Sequence, residues 1–130
     1  MGILDTLAGR QQAVSIEEVA AELQPFLVSG EQVEKAFRVF RDMLVFTDRR
    51  LISIDRQGVT GKKVDYRSIP YVNITMFSKE SAGMLDLDAE LRLWIRGFPD
   101  PLKFEFNKDA PINDVYKVLS DHILKATSSA

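Results

Sequence analysis

Leu44-Val45-Phe46-Thr47-Asp48-Arg49-Arg50-Leu51-Ile52-Ser53-Ile54-Asp55 reads as two β-strands joined by a tight polar turn. β-Branched and aromatic residues crowd both arms, as a pleated, half-buried surface favours. Thr47 and Asp48 carry side-chain oxygens suited to bonding nearby backbone amides in the turn. Arg49 and Arg50 read as solvated turn residues. The stretch points to an antiparallel β-protein and names no reaction.

Extended structure continues on both sides. Upstream, Val33 to Phe40 is rich in valine and aromatic residues and is assigned to a strand on that basis. Downstream, Gln57-Gly58-Val59-Thr60-Gly61 forms a glycine-rich turn, and Lys62-Lys63-Val64-Asp65-Tyr66 resumes the extended chain. This places Lys62-Lys63 at the opposite end of the hairpin from Arg49-Arg50. Pro70 marks an edge, bend or bulge because it cannot donate to a ladder, and Tyr71 to Phe77 is expected as a further strand. Leu85, Leu87, Ala89, Leu91, Leu93 and Ile95 then alternate strictly with Asp86, Asp88, Glu90, Arg92, Trp94 and Arg96, the pattern of a half-buried antiparallel strand. After the break at Gly97-Phe98-Pro99-Asp100-Pro101, Leu102, Phe104 and Phe106 mark the last strand.

Helical patterns flank the strands. Ile3 to Leu7 forms a short helix ended by Gly9, and Ser15-Ile16-Glu17-Glu18 has capping-box spacing before an apolar stripe of Ile16, Val19, Ala20 and Leu23. That second helix should stop near Gln24, since Pro25 disfavours helical backbone in the residue before it. At the other end, Asp109 is placed as N-cap, with Pro111 in the first turn and Ile112, Val115, Tyr116, Leu119, Ile123 and Ala126 along one stripe. The expected organisation is a helical segment over 1–30, a β-domain with its closing helix over 31–126, and a frayed tail over 127–130. Consecutive hairpins of this number favour a sheet that curls into a barrel or orthogonal sandwich with a helix at its open end.

At 130 residues the chain is long enough for one domain to bury a core without disulfides or metals. It has no cysteine, which excludes thiolate nucleophiles and cysteine-ligated zinc and fits a reducing compartment. Seventeen basic residues against nineteen acidic ones argue against a nucleic-acid partner, which needs concentrated positive charge. With no apolar run of spanning length and no signal-peptide pattern, the expected location is cytoplasmic.

The hairpin at Leu44–Ile54, the glycine-containing turn after it and the segment Tyr66-Arg67-Ser68-Ile69-Pro70 together resemble bacterial pleckstrin-homology-like domains, which are related to GRAM domains. The resemblance spans residues 30 to 125. It implies a mainly β fold, an antiparallel seven-stranded barrel capped by the C-terminal helix, here with an additional N-terminal helical segment. It also implies a non-catalytic interaction or scaffold module, since some bacterial members assemble as ring-shaped homo-oligomers. Eukaryotic domains of this fold chelate inositol phosphates with basic residues in the first-to-second and third-to-fourth strand loops. The corresponding segments here hold Lys35, Arg38 and Arg41, then Lys62 and Lys63, with spacing that departs from that pattern. Arg38, Arg41, Lys62 and Lys63 are therefore the candidates for weak binding of anionic lipid headgroups. Their alternative is ordinary solvated charge.

Enzyme signatures do not survive inspection. Gly58-Val59-Thr60-Gly61-Lys62-Lys63 lacks the spacer, the hydroxyl after lysine and the following helix of a phosphate loop. Asp86, Asp88 and Glu90 alternate as a wet strand face does, whereas hard-cation sites converge oxygens from curved loops, so no metal site is assigned. His122 is the single histidine and has no paired acid in its pattern, so it is read as packed or surface. Met1-Gly2-Ile3-Leu4-Asp5-Thr6 formally matches the N-myristoylation pattern, which is short enough to arise by chance. No cofactor is implied. Trp94, between Arg92 and Arg96 on the polar face, is the candidate contact with a protein partner or a second copy, because Trp and Arg concentrate at interface centres. Cover by the N-terminal helices is its alternative.

Overall fold

The computed structural model describes residues 14–39, 42–60, 62–81, 89–107 and 110–129. The chain divides into two compact units, Met1–Ser68 and Ile69–Ala130. Its strands form a four-stranded sheet ordered β1-β2-β3-β4 and a three-stranded sheet ordered β5-β6-β7. Among the described residues the expected seven strands and C-terminal helix are present, with the strand hydrogen bonding partitioned between two sheets and not closed into the single barrel expected.

Helix α1 spans Ile16–Leu23. Ser15 Oγ accepts from the Glu18 amide at 3.3 Å, as the capping-box spacing predicts, while the hydroxyl proton goes to Glu17 Oε2 at 3.1 Å. The α-helix ends at Leu23 and tightens into a 3-10 turn over Gln24–Phe26 with Pro25 near its start. This is the stop required by a residue that cannot supply an amide donor. Val19 and Leu23 are buried against Ala36, Met43, Val45, Ile52 and Ile54 of the first sheet, with Val64 and Tyr66 at the margin.

That sheet consists of β1 (Val33–Val39), β2 (Asp42–Thr47), β3 (Arg50–Gln57) and β4 (Lys63–Pro70). Val45 faces Ile52 and Met43 faces Ile54 across β2–β3, while Ala36 faces Val45 across β1–β2. The apolar residues of three strands therefore meet α1 on one face, and the strand period of two sends Phe37, Leu44, Phe46 and Leu51 to the other. These four are also buried, and the Phe37 and Phe46 rings meet edge to face at 5.9 Å. Gly58, at φ +76°, turns the chain from β3 toward β4 in a backbone region that side chains disfavour.

In the second unit, β5 (Ile74–Ser81), β6 (Ala89–Ile95) and β7 (Leu102–Phe106) precede α2 (Ile112–Ser129). The strand expected from Tyr71 starts three residues later. Pro70 closes β4, Tyr71–Asn73 forms a 3-10 turn, and the Ile74 amide donates to the Tyr71 carbonyl. Tyr71 itself turns inward, where its ring stacks on His122 at 4.4 Å. Leu91, Leu93 and Phe106 are buried, as are Val115, Leu119 and Ile123 of α2, following the stripe read from sequence. Tyr116 packs on Phe77 at 5.3 Å between ring centroids and donates to the Phe77 carbonyl at 3.3 Å. The helix continues through Ser129, beyond its expected end at Ala126. Ile3–Leu7, the Gly2 pattern, Leu85 to Asp88 and the Asp109 cap lie outside the described residues.

Candidate functional site

The β2–β3 turn is built around Thr47 Oγ1, which accepts from the amides of Arg49 at 3.0 Å and Arg50 at 2.9 Å. Asp48 joins the turn to the start of β1: its Oδ1 accepts from the Gln32 amide at 2.8 Å, and its own amide donates to the Gln32 carbonyl at 3.1 Å. The turn chemistry assigned to Thr47 is thus realised, whereas the Asp48 carboxylate bonds the Gln32 amide, sixteen residues away in the sequence, instead of an amide of the turn. Arg49 is exposed, as expected of a turn residue.

Arg50 corrects the sequence reading. Its guanidinium meets Glu31 in a forked pair, Nε to Oε2 at 2.9 Å and Nη2 to Oε1 at 2.8 Å. Nη2 also donates to the Phe26 carbonyl and Nη1 to Ser68 Oγ. The Glu31 side chain is wholly covered, while Thr47 Oγ1 donates to its Oε2 at 2.6 Å and the Val28 amide donates to its Oε1 at 3.1 Å. These bonds, led by those from Arg50, hold the Glu31 carboxyl down at about 2 despite the opposing cost of burial. Donors saturate both oxygens, which makes the cluster a structural clasp for the segment between α1 and β1.

A second charged cluster pins α1 to its sheet. Arg56 Nη2 reaches Glu22 Oε1 at 2.8 Å and Oε2 at 3.0 Å, and the Tyr66 hydroxyl donates to Oε2 at 2.6 Å. Burial works to raise the Glu22 pKa, but the hydrogen bonds from Tyr66 and Arg56 outweigh it, for a net lowering. The Tyr66 hydroxyl is held above its usual value, first by its bond to Glu22. Among the described residues no group of His, Asp or Glu is arranged to hold a metal ion. Glu90 instead lies 3.5 Å from Arg92, and Asp86 and Asp88 fall outside the described residues.

The basic candidates gather at one end of the first sheet. Arg38 faces Met43, which faces Ile54, so Arg38 lies toward the end where β3 turns into β4. Lys62 and Lys63 emerge from that turn, and all three cations are exposed. Arg38 and Lys63 lie on strands three ladder steps apart, about 14 Å across the sheet. Arg41 lies outside the described residues. The turn carrying Arg49 is at the opposite end, as the strand reading requires. Val59, at the tip beside the lysines, is fully exposed, a feature that sequence reading passed over as ordinary turn composition.

The aromatic candidate lies on the second sheet. Arg92 and Trp94 share the face turned away from α2, and Met76 stands directly across from Trp94. Met76 is 52% exposed and Trp94 is partly covered. Arg92 is engaged by Glu80 at 2.7 Å and so acts as a braced neighbour. Arg96 lies past the strand end, exposed, its amide donating to the Asn73 carbonyl at 2.8 Å. Phe98 follows in the same turn, 67% exposed. Met76 was missed because its partner across the ladder is set by register, which single-strand alternation does not reveal.

Residues 2–123 match the family model described as the bacterial PH domain. The chain is 49% identical over 121 residues to the uncharacterised protein YjqA of Bacillus subtilis strain 168, spanning 92% of this chain and 97% of that one. It is 34% identical over 111 residues to YozO of the same organism, spanning 85% and 95%. Among solved structures, the pleckstrin homology domain from Shewanella amazonensis SB2B superposes with a TM-score of 0.81 at 45% identity, covering 94% of this chain and 98% of that one. A DUF1696 family protein with a pleckstrin-homology domain from Shewanella loihica PV-4 gives a TM-score of 0.77 at 50% identity, covering 85% and 95%. The family match over nearly the whole length, and the likeness of strands and closing helix to these solved domains, agree with the resemblance carried by the 44–55 hairpin: the chain belongs to the bacterial pleckstrin-homology domain family.

Proposed function

We propose that this protein is a non-catalytic interaction module that assembles with copies of itself through the Met76–Trp94 face of its three-stranded sheet. The observation that supports this most directly is the cross-strand Met76–Trp94 pair, with Met76 52% exposed. Large apolar side chains grouped on a wet sheet face gain by being covered, and Trp, Met and Arg are the types that concentrate at interface centres. Phe98, in the turn that follows the strand, is a further exposed large apolar side chain, and Arg96 before it is exposed. Arg92, already held by Glu80 and Glu90, presents its guanidinium with little further ordering to be lost on association.

Size exclusion with light scattering tests the assignment. The expected mass is several times that of one chain, and Met76→Glu should reduce it to that of a single chain while circular dichroism stays unchanged, because the substituted side chain is exposed in the isolated subunit. A strict monomer at high micromolar concentration sinks the reading. So does an assembly indifferent to Met76→Glu and Trp94→Ala.

A further inference from the structure

We propose that β7 is a pairing edge for a second copy of this chain: two β7 strands meet antiparallel about a two-fold axis at Phe104 and join their three-stranded sheets edge to edge. The inference rests on the self-assembly proposed above and adds to it a second contact between copies. β7 (Leu102–Phe106) is the outer strand of its sheet, and among the described residues no strand is hydrogen-bonded to its far side. Outer strands are commonly blunted by a bulge, a proline or charge. The opposite edge, β5, is interrupted by a shift of register between Ile74 and Met76, whereas β7 keeps unbroken register with β6 and has its proline, Pro101, just before the strand. What guards β7 is charge, in the exposed Lys103 and Glu105.

That guard works against a stranger and for an identical strand. Inside the sheet Lys103 stands directly opposite Arg92 and Glu105 directly opposite Glu90, so each charged residue of β7 faces a like charge on β6, an arrangement that costs stability. Pairing with a second β7 supplies the missing counter-charges from the open side. With Phe104 on the axis, Lys103 comes opposite the partner's Glu105 and Glu105 opposite the partner's Lys103, while Leu102 faces the partner's Phe106. A slip of two residues either way sets lysine against lysine or glutamate against glutamate, and a slip of one turns the faces over, so a single register is favoured. One patch serving both copies is the isologous arrangement usual in homo-oligomers. The ladder bonds of a five-residue strand do not by themselves repay the freedom two molecules lose on meeting. The pairing therefore acts between copies that the Met76–Trp94 face already holds, where the effective concentration is about millimolar.

Charge exchange in the full chain, read by light scattering after size exclusion, is the test. Lys103→Glu and Glu105→Lys each set like charges across the two-fold contact while removing one like-charge opposition inside the sheet, so the fold is not weakened and circular dichroism stays unchanged. Each variant alone should shrink the assembly to what the sheet face holds by itself. Their equimolar mixture should restore the wild-type mass, because every mixed pair is complementary, and the double exchange in one chain should keep it. The chain has no cysteine, so Lys103→Cys and Glu105→Cys provide a positional check. Oxidised together they should cross-link, and either alone should not, since identical positions lie diagonally across the ladder at or beyond the roughly 7 Å a disulfide spans. Single exchanges that leave the mass unchanged overturn the proposal, as does a mixture no larger than its components or cysteines that link no better together than apart. An assembly that responds to Met76→Glu but ignores these exchanges sinks β7 pairing alone. One that ignores Met76→Glu and follows the exchanges sinks the sheet-face reading alone, and a wild-type monomer sinks both.

Discussion

Arg50 and Glu31 show how a charge in a turn becomes part of a core. A forked guanidinium–carboxylate pair covered by the chain is strong in geometry but expensive in desolvation, so its removal one side at a time exposes the cost. Arg50→Ala leaves the Glu31 carboxylate covered and without its main donors. Urea unfolding should show a loss of about 3–5 kcal/mol. The pH dependence follows from the same pair. In the unfolded chain the Glu31 carboxyl titrates near its ordinary 4.5, and in the folded chain at about 2. A folded-state pKa below the unfolded one means the contribution is complete above 4.5 and is lost as pH falls toward 2. The difference corresponds to about 3 kcal/mol. Glu31→Gln should therefore flatten the fall in stability with acid across that window when unfolding is followed from neutral pH downward. At Gly58 the controlling term is backbone strain, since its φ of +76° disfavours any Cβ although space is open. Gly58→Ala is expected to lower stability by about 1 kcal/mol in the same measurement.

At the scale of elements, α1 is attached by two unlike means. Leu23 is fully buried against the first sheet, and Glu22, one residue before it, is tied to Arg56 and Tyr66. Truncating Leu23 to alanine should cost about 2–5 kcal/mol, the range for a buried leucine whose surroundings only partly close. Tyr66→Phe removes one hydrogen bond to a charged oxygen and should cost about 1.5–3 kcal/mol. Thermal unfolding of the two variants and their combination gives the coupling: residues in one packed element should depart from additivity, and strict additivity would show that the ion cluster and the apolar contact hold α1 independently. The 3-10 turn at Tyr71–Asn73 illustrates a competing demand on sequence. Valine and tyrosine there have strand propensity, but Pro70 ends the ladder and Tyr71 is drawn to His122.

For the whole molecule, self-association would make stability depend on concentration, because assembly removes folded chains from the unfolding equilibrium. The melting temperature should rise with protein concentration in the wild-type chain and become independent of it in Met76→Glu. A concentration-independent melt in both would count against the proposed assembly. The solved relatives share the fold, and the surface on which the proposed assembly rests is the apolar Met76–Trp94 pair on a sheet face.

Much of the architecture was legible along the chain because strand and helix periods are local properties of sequence. The alternation through Leu91 and Leu93, the stripe through Val115, Leu119 and Ile123, and the turn oxygen of Thr47 all follow from short-range geometry. By itself the sequence determined the element types, the family resemblance and the absence of cysteine chemistry. Only the tertiary structure decided that Glu31 reaches Arg50 across nineteen residues, that Met76 stands opposite Trp94, and that Arg38 shares a sheet end with Lys62 and Lys63. Those are facts of register and long-range closure, and the period of one strand carries no information about which residue of another will face it.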